Sequence, residues 1–135
     1  MSGPAIRRMC PCFIVRSVEQ SIAFHCDRLG FEVWHQQPEG KPFFAMLGRE
    51  GAMLFIKSGK AEPLPNSKRG DPRFDMRWDA YLSVPDPDGL AVEYGGRGAA
   101  FSMPLEDAHD GLRGFEITDP DGYKLFFGRT SEDKR

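Results

Sequence analysis

The chain has 135 residues, of which 18 are basic and 20 acidic, for a formal net charge of −2. That length suits one domain with a real core, and the missing basic excess argues against a nucleic-acid partner. The apolar runs are too short for a membrane span, Met1-Ser2-Gly3-Pro4 opens no apolar leader, and three cysteines suit no disulfide framework. A cytoplasmic protein without membrane contact is expected.

Residues 9–15 read as a strand carrying Phe13, Ile14 and Val15. Ser17-Val18-Glu19-Gln20 spells a capping box, in which Ser17 accepts an orphan amide proton and Gln20 reaches back. Val18, Ile22, Cys26 and Leu29 recur at helical spacing, and Gly30 supplies a left-handed stop. Strands are expected at residues 31–36, 43–47 and 52–57, separated by turns around Pro38-Glu39-Gly40 and Gly48-Arg49-Glu50-Gly51. The first order is thus β-α-β-β-β.

Residues 58–73, rich in proline, glycine and charge, read as a connecting loop. A strand at 77–84 leads to Asp86-Pro87, an N-cap followed by proline in the first turn. Leu90, Ala91 and Tyr94 turn to the core before Gly95-Gly96 ends the helix. Strands at 99–103, 112–118 and 123–129 follow, with a polar tail from 130 to 135. The order β-α-β-β-β repeats. Aligning Gly51 with Gly122 gives an offset of 71, and aligning Val15 with Val84 gives 69, as a duplicated unit requires. Two modules, 1–66 and 67–135, are expected within one α+β domain.

Ser17-Val18-Glu19-Gln20-Ser21-Ile22-Ala23-Phe24, running into Leu29-Gly30-Phe31-Glu32-Val33, resembles the first-helix signature of the vicinal oxygen chelate superfamily. Phe115 through Phe127, containing Asp119-Pro120-Asp121-Gly122, resembles its closing hairpin. The superfamily includes glyoxalases, bleomycin resistance proteins and dioxygenases. The resemblance implies paired βαβββ modules whose curved mixed sheets form a cleft, usually in a homodimer. It leaves the activity open, because one scaffold hosts many chemistries.

Strand alternation assigns faces. Phe13 and Val15, Leu54 and Ile56, Ala80, Leu82 and Val84, and Leu125 and Phe127 turn to the module cores. Cys10, Cys12 and Ile14, Met53, Phe55 and Lys57, Asp79, Tyr81 and Ser83, and Lys124 and Phe126 then face the cleft. Trp34 and Phe44 join them by the same rule. The resulting ligand set is Trp34, Phe44, Phe55, Tyr81 and Phe126, with Lys57, Asp79 and Lys124 as polar anchors. An aromatic concavity with few polar groups suits a small planar organic molecule.

In metal-dependent relatives the resemblance implies four ligands, in the first and last strands of each module. Those positions fall on Cys10, Asp79, Phe55 and Phe126. Phenylalanine offers no lone pair, so the usual divalent metal is not expected; Cys10 with Asp79 is the weak alternative. The other reactive residues read blandly. Cys10 and Cys12 are small side chains about 7 Å apart on one strand face. His25 is a packing or surface residue, and His35 and His109 are isolated. Gly95-Gly96-Arg97-Gly98 is a turn, and Asp119-Pro120-Asp121-Gly122 is a hairpin turn without a calcium loop's glutamate. Glu93, Glu106 and Asp107 are expected to be solvated.

Three functions follow: a metal-free binding protein for a small planar molecule; a metal-dependent lyase, isomerase or dioxygenase needing further donors such as Glu116 or His109; and a non-catalytic interaction subunit.

Overall fold

Two four-stranded mixed sheets, each covered by one helix, make up the computed structural model, which describes residues 3–69, 78–108 and 110–130. The first sheet comes from β1 (Cys12–Ile14), β2 (Glu32–Gln37), β3 (Phe44–Arg49) and β4 (Ala52–Lys57), with helix α1 (Val18–Leu29). The second comes from β5 (Ala80–Ser83), β6 (Phe101–Asp107), β7 (Leu112–Thr118) and β8 (Lys124–Thr130), with helix α2 (Pro87–Gly96). Their strand orders correspond, β1-β4-β3-β2 and β5-β8-β7-β6. In each, the first strand pairs parallel with the last and the other pairs are antiparallel. Each helix leads from the first strand into the rest of its sheet, supplying the long connection that a parallel pair needs. The chain is α+β with βαβββ order in both halves.

Local chemistry fixes both helices. Ser17 Oγ accepts the Gln20 amide proton at 3.1 Å, and Gly30 closes α1 at φ 74°. Asp86 Oδ1 accepts the Gly89 amide proton at 3.0 Å, with Pro87 in the first turn of α2. The buried stripe of α1 is Val18, Ser21, His25 and Leu29, which corrects the expected Cys26. His25 turns inward because its ring packs edge-on against Phe24 and Phe31, while its Nδ1 bonds the Ser21 carbonyl at 2.8 Å.

Three strands differ from expectation by three residues or more at one end. Of the expected strand 77–84, β5 covers only Ala80–Ser83, with Trp78 and Asp79 outside it. The β1 strand is shorter than 9–15, because Pro11 contributes only its carbonyl, accepting from Phe55 N at 3.0 Å. The β6 strand starts later and runs to Asp107, with register shifts around Met103 and Glu106 that accommodate Pro104 on a sheet edge.

One apolar core runs through both halves, from Phe13, Leu47 and Ile56 to Phe115, Ile117 and Phe127. Two junctions join the halves. At one, Phe13 stacks on Tyr123 at 4.1 Å, and the Tyr123 hydroxyl donates to the Ile14 carbonyl at 2.7 Å. Asp121 Oδ1 beside them accepts from both the backbone and the guanidinium of Arg16. At the other, Glu93 accepts two bonds from Arg49 and one from Arg97, all within 2.9 Å. Tyr94 donates there to the Leu29 carbonyl at 3.0 Å. Glu93 is therefore a bridge between halves, correcting its reading as a solvated charge; the Arg49 bonds hold its carboxyl down to about 2. No helix among the described residues is long and apolar enough to cross a membrane.

Candidate functional site

The helix-free faces of the two sheets hold two separate aromatic groups. On the first sheet, Phe55 lies in register with Cys12 on one side and Met46 on the other, and Phe44 pairs with Lys57. Phe44 meets Phe55 edge-on at 5.5 Å, with His35 at 6.1 Å from Phe44. A register shift between Val33 and His35 lays Trp34 over Gly48, where any Cβ would run into the indole. The indole stays 41% exposed, with the Arg8 guanidinium 5.2 Å above it. Lys57 is exposed.

On the second sheet, Phe126 is in register with Tyr81 and Glu116. Trp78 stacks on Phe126 with centroids 4.4 Å apart and on Tyr81 at 5.6 Å. Gly114 and Gly128, paired in β7 and β8, make room beside the Phe126 ring, since a Cβ on either would meet it. Phe126 is consequently only 3% exposed, covered rather than presented, whereas Tyr81 is 41% exposed. Trp78 was missed in the sequence because alternation along the expected strand 77–84 puts it on the core face with Ala80; β5 begins only at Ala80, so that alternation does not govern Trp78.

The polar residues divide sharply. Asp79 is a backbone clamp: Oδ1 accepts from Asn66 N at 2.7 Å and Oδ2 from Lys124 N at 2.8 Å. Lys124 Nζ donates to Thr118 Oγ1 at 3.2 Å, Thr118 Oγ1 to Ser102 Oγ at 2.9 Å, and Ser102 Oγ to Glu116 Oε1 at 2.8 Å. The ammonium also lies 3.6 Å from Glu116 Oε1. This donor chain from ammonium to carboxylate runs beside the Phe126 stack, and Glu116 is buried in it. A charge pair held by two hydroxyls can offer both a donor and an acceptor to a ligand edge.

Cys10 is half-buried, Cys12 exposed, and both are free thiols. Among the described residues no group of three or more His, Cys, Asp or Glu side chains could hold a metal ion. His109 lies outside the described residues. His25 is fully buried, and burial lowers its pKa to about 4. Asp119 anchors the β7–β8 turn, its Oδ1 accepting from the amides of Asp121 and Tyr123. Its Oδ2 is buried without a partner, and burial raises the carboxyl to about 7. A cavity of about 720 Å³ opens between the halves on the core side; of the expected ligand residues it touches Tyr81 alone.

The sequence model of the Glyoxalase/Bleomycin resistance protein/Dioxygenase superfamily matches residues 9–127. No curated protein sequence matches the chain. Among solved structures, TioX from Micromonospora sp. ML1 is 21% identical with a TM-score of 0.69, covering 91% of this chain and 98% of its own. The bleomycin-binding protein from Streptomyces verticillus, complexed with copper(II)-bleomycin, is 24% identical with a TM-score of 0.64, covering 88% and 92%. TnmS3, an antibiotic binding protein from Streptomyces sp. CB03234, is 20% identical with a TM-score of 0.65, covering 95% and 99%. At these identities the likeness carries the fold.

Proposed function

Because the chain belongs to the Glyoxalase/Bleomycin resistance protein/Dioxygenase superfamily, we propose that it binds a small planar organic molecule on its helix-free faces, without the divalent metal of the catalytic relatives. The observation that carries this reading is the Trp78–Phe126–Tyr81 stack, an aromatic platform seated on a glycine floor. A flat ring laid on Trp78 or Tyr81 gains area and offset stacking without displacing a protein side chain. The bleomycin-binding and antibiotic-binding neighbours support the same class of ligand.

The ligand contacts we assign are Trp78 and Tyr81 for stacking, with Glu116 and Lys124 addressing polar edges. Phe126 supports Trp78 from below, and Asp79 holds the loop instead of anchoring the ligand. Trp34, Phe44 and Phe55 form a second aromatic face on the other sheet, with Lys57 at its rim. Metal binding is not part of the reading: Phe55 and Phe126 offer no donor atom, and both oxygens of Asp79 are engaged by backbone amides. A cytoplasmic homodimer completes the proposal, since a second copy can wall in these half-exposed faces; free cysteines suit that compartment. The net charge of −2 leaves nucleic acid outside it.

A thermal-shift screen of planar aromatic compounds, including glycopeptide antibiotics, tests the assignment. Compounds that raise the melting temperature of the wild type should raise that of Trp78→Ala much less. Equal shifts in the two proteins would place the ligand elsewhere.

A further inference from the structure

Three sulfur side chains gather on the first sheet, and the aromatic ligand contacts use none of them. Met53 is in register with Gly48, and the Trp34 indole fills the place of a Gly48 Cβ, so the thioether is on the helix-free face. Arg8 marks the same face: its guanidinium is 5.2 Å above the Trp34 ring, and its Nη1 is 3.6 Å from Met53 Sδ. Cys12 pairs with Phe55 in the parallel β1–β4 ladder, two residues along β4 from Met53. Register partners point to one side, as do alternate residues, so Cys12 shares the face of Met53.

Cys10 joins them. The ladder extends back from Cys12, since the Pro11 carbonyl accepts from Phe55 N at 3.0 Å. Pro11 lines the cavity between the halves and neither flanking cysteine does, which leaves Cys10 on the side of Cys12, one step back beside Met53. Cys10 is half-buried and Cys12 exposed, both as free thiols. Two thiols and a thioether are a soft donor set, which selects a soft ion. Zinc asks for four donors, whereas monovalent copper is satisfied by two or three sulfurs. Two thiolates around Cu(I) carry a net negative charge, which the Arg8 guanidinium beside Met53 offsets.

We propose that Cys10, Cys12 and Met53 form a binding site for Cu(I), each thiol giving its proton to solvent as the ion enters. The site is built by one sheet alone. It uses neither Asp79 nor the two phenylalanines that stand where a divalent metal would be held. It is on the sheet opposite the Trp78 platform and does not depend on that platform binding anything.

The full chain, reduced and kept free of oxygen, is titrated with Cu(I) against bicinchoninate, a coloured competitor, while its methionine methyl groups are followed by NMR. The wild type should hold one ion per chain, and the Met53 methyl resonance should shift as the site fills. Cys10→Ser and Cys12→Ser should each weaken binding about a hundredfold, and Met53→Leu about tenfold. Cys26→Ser removes the remaining thiol, on α1, and should leave binding intact. Trp78→Ala should leave it intact as well, which separates this site from the aromatic platform. Binding that survives loss of both Cys10 and Cys12, binding that fails in Cys26→Ser, or an unmoved Met53 resonance would overturn the proposal. So would a Cys10–Cys12 disulfide that persists under the reductant and takes up no copper.

Discussion

Asp119 and His25 are both buried, and their ionisation pulls stability in opposite directions. The folded Asp119 carboxyl sits near 7 against 3.8 for the free group, so the native state prefers it protonated. That contribution is fully present below about pH 3.8 and is lost as pH rises through 7. His25 sits near 4 against 6.5, so its contribution is present above pH 6.5 and lost as pH falls through 4. Within the shared window the two slopes oppose, each approaching about 1.4 kcal/mol per pH unit. Asp119→Asn removes one of them. Relative to wild type, the variant should gain little at pH 4 and progressively more up to pH 8, read from urea midpoints. A difference independent of pH would mean that Asp119 is not protonated in the folded protein.

At the scale of elements, close backbone approach and the bridge from β3 to α2 carry the arrangement. Gly114 in β7 sits where a Cβ would meet the Phe127 carbonyl and the Phe126 ring. Gly114→Ala should therefore cost about 1–3 kcal/mol in chemical denaturation, by forcing the strands or the stack to shift. Glu93 accepts from Arg49 and Arg97, so Glu93→Gln removes the charge from a two-arginine clamp. Because the carboxylate is about one-third exposed, solvent screening holds the expected loss to about 1 kcal/mol. A loss within error would show that the clamp is incidental to how the halves pack.

What the sequence revealed divides at this same scale. Capping residues and turns act locally, so Ser17, Gly30, Asp86 and the β7–β8 turn could be read directly. Alternation inside regular strands placed Leu54 and Ile56 inward, and Leu125 with Phe127 as well. Where a tertiary neighbour decides, local rules failed. Trp78 lies before its strand, and His25 turns inward between two phenylalanines. The carboxylate of Asp79 is taken by amides 13 and 45 residues away. The donor chain from Lys124 to Glu116 needs three strands in register, which residue spacing does not encode.

For the whole molecule, repetition of one βαβββ order yields two sheets with helix-free faces, and one aromatic group sits on each, Phe44 with Phe55 and Trp78 with Phe126 and Tyr81. As a homodimer the protein should sediment with twice the monomer mass at micromolar concentration; a monomer would remove the partner from the account. Small-molecule binding at Trp78 is the central claim, and the chain's two tryptophans, one on each sheet face, make it directly readable. The deciding measurement is fluorescence quenching by compounds that stabilise the wild type, compared between Trp34→Phe and Trp78→Phe. Trp34→Phe, which keeps the stacked indole, should retain saturable quenching. Trp78→Phe should lose most of it, because the remaining indole sits on the other face. Saturable quenching that persists in Trp78→Phe and vanishes in Trp34→Phe would contradict the account.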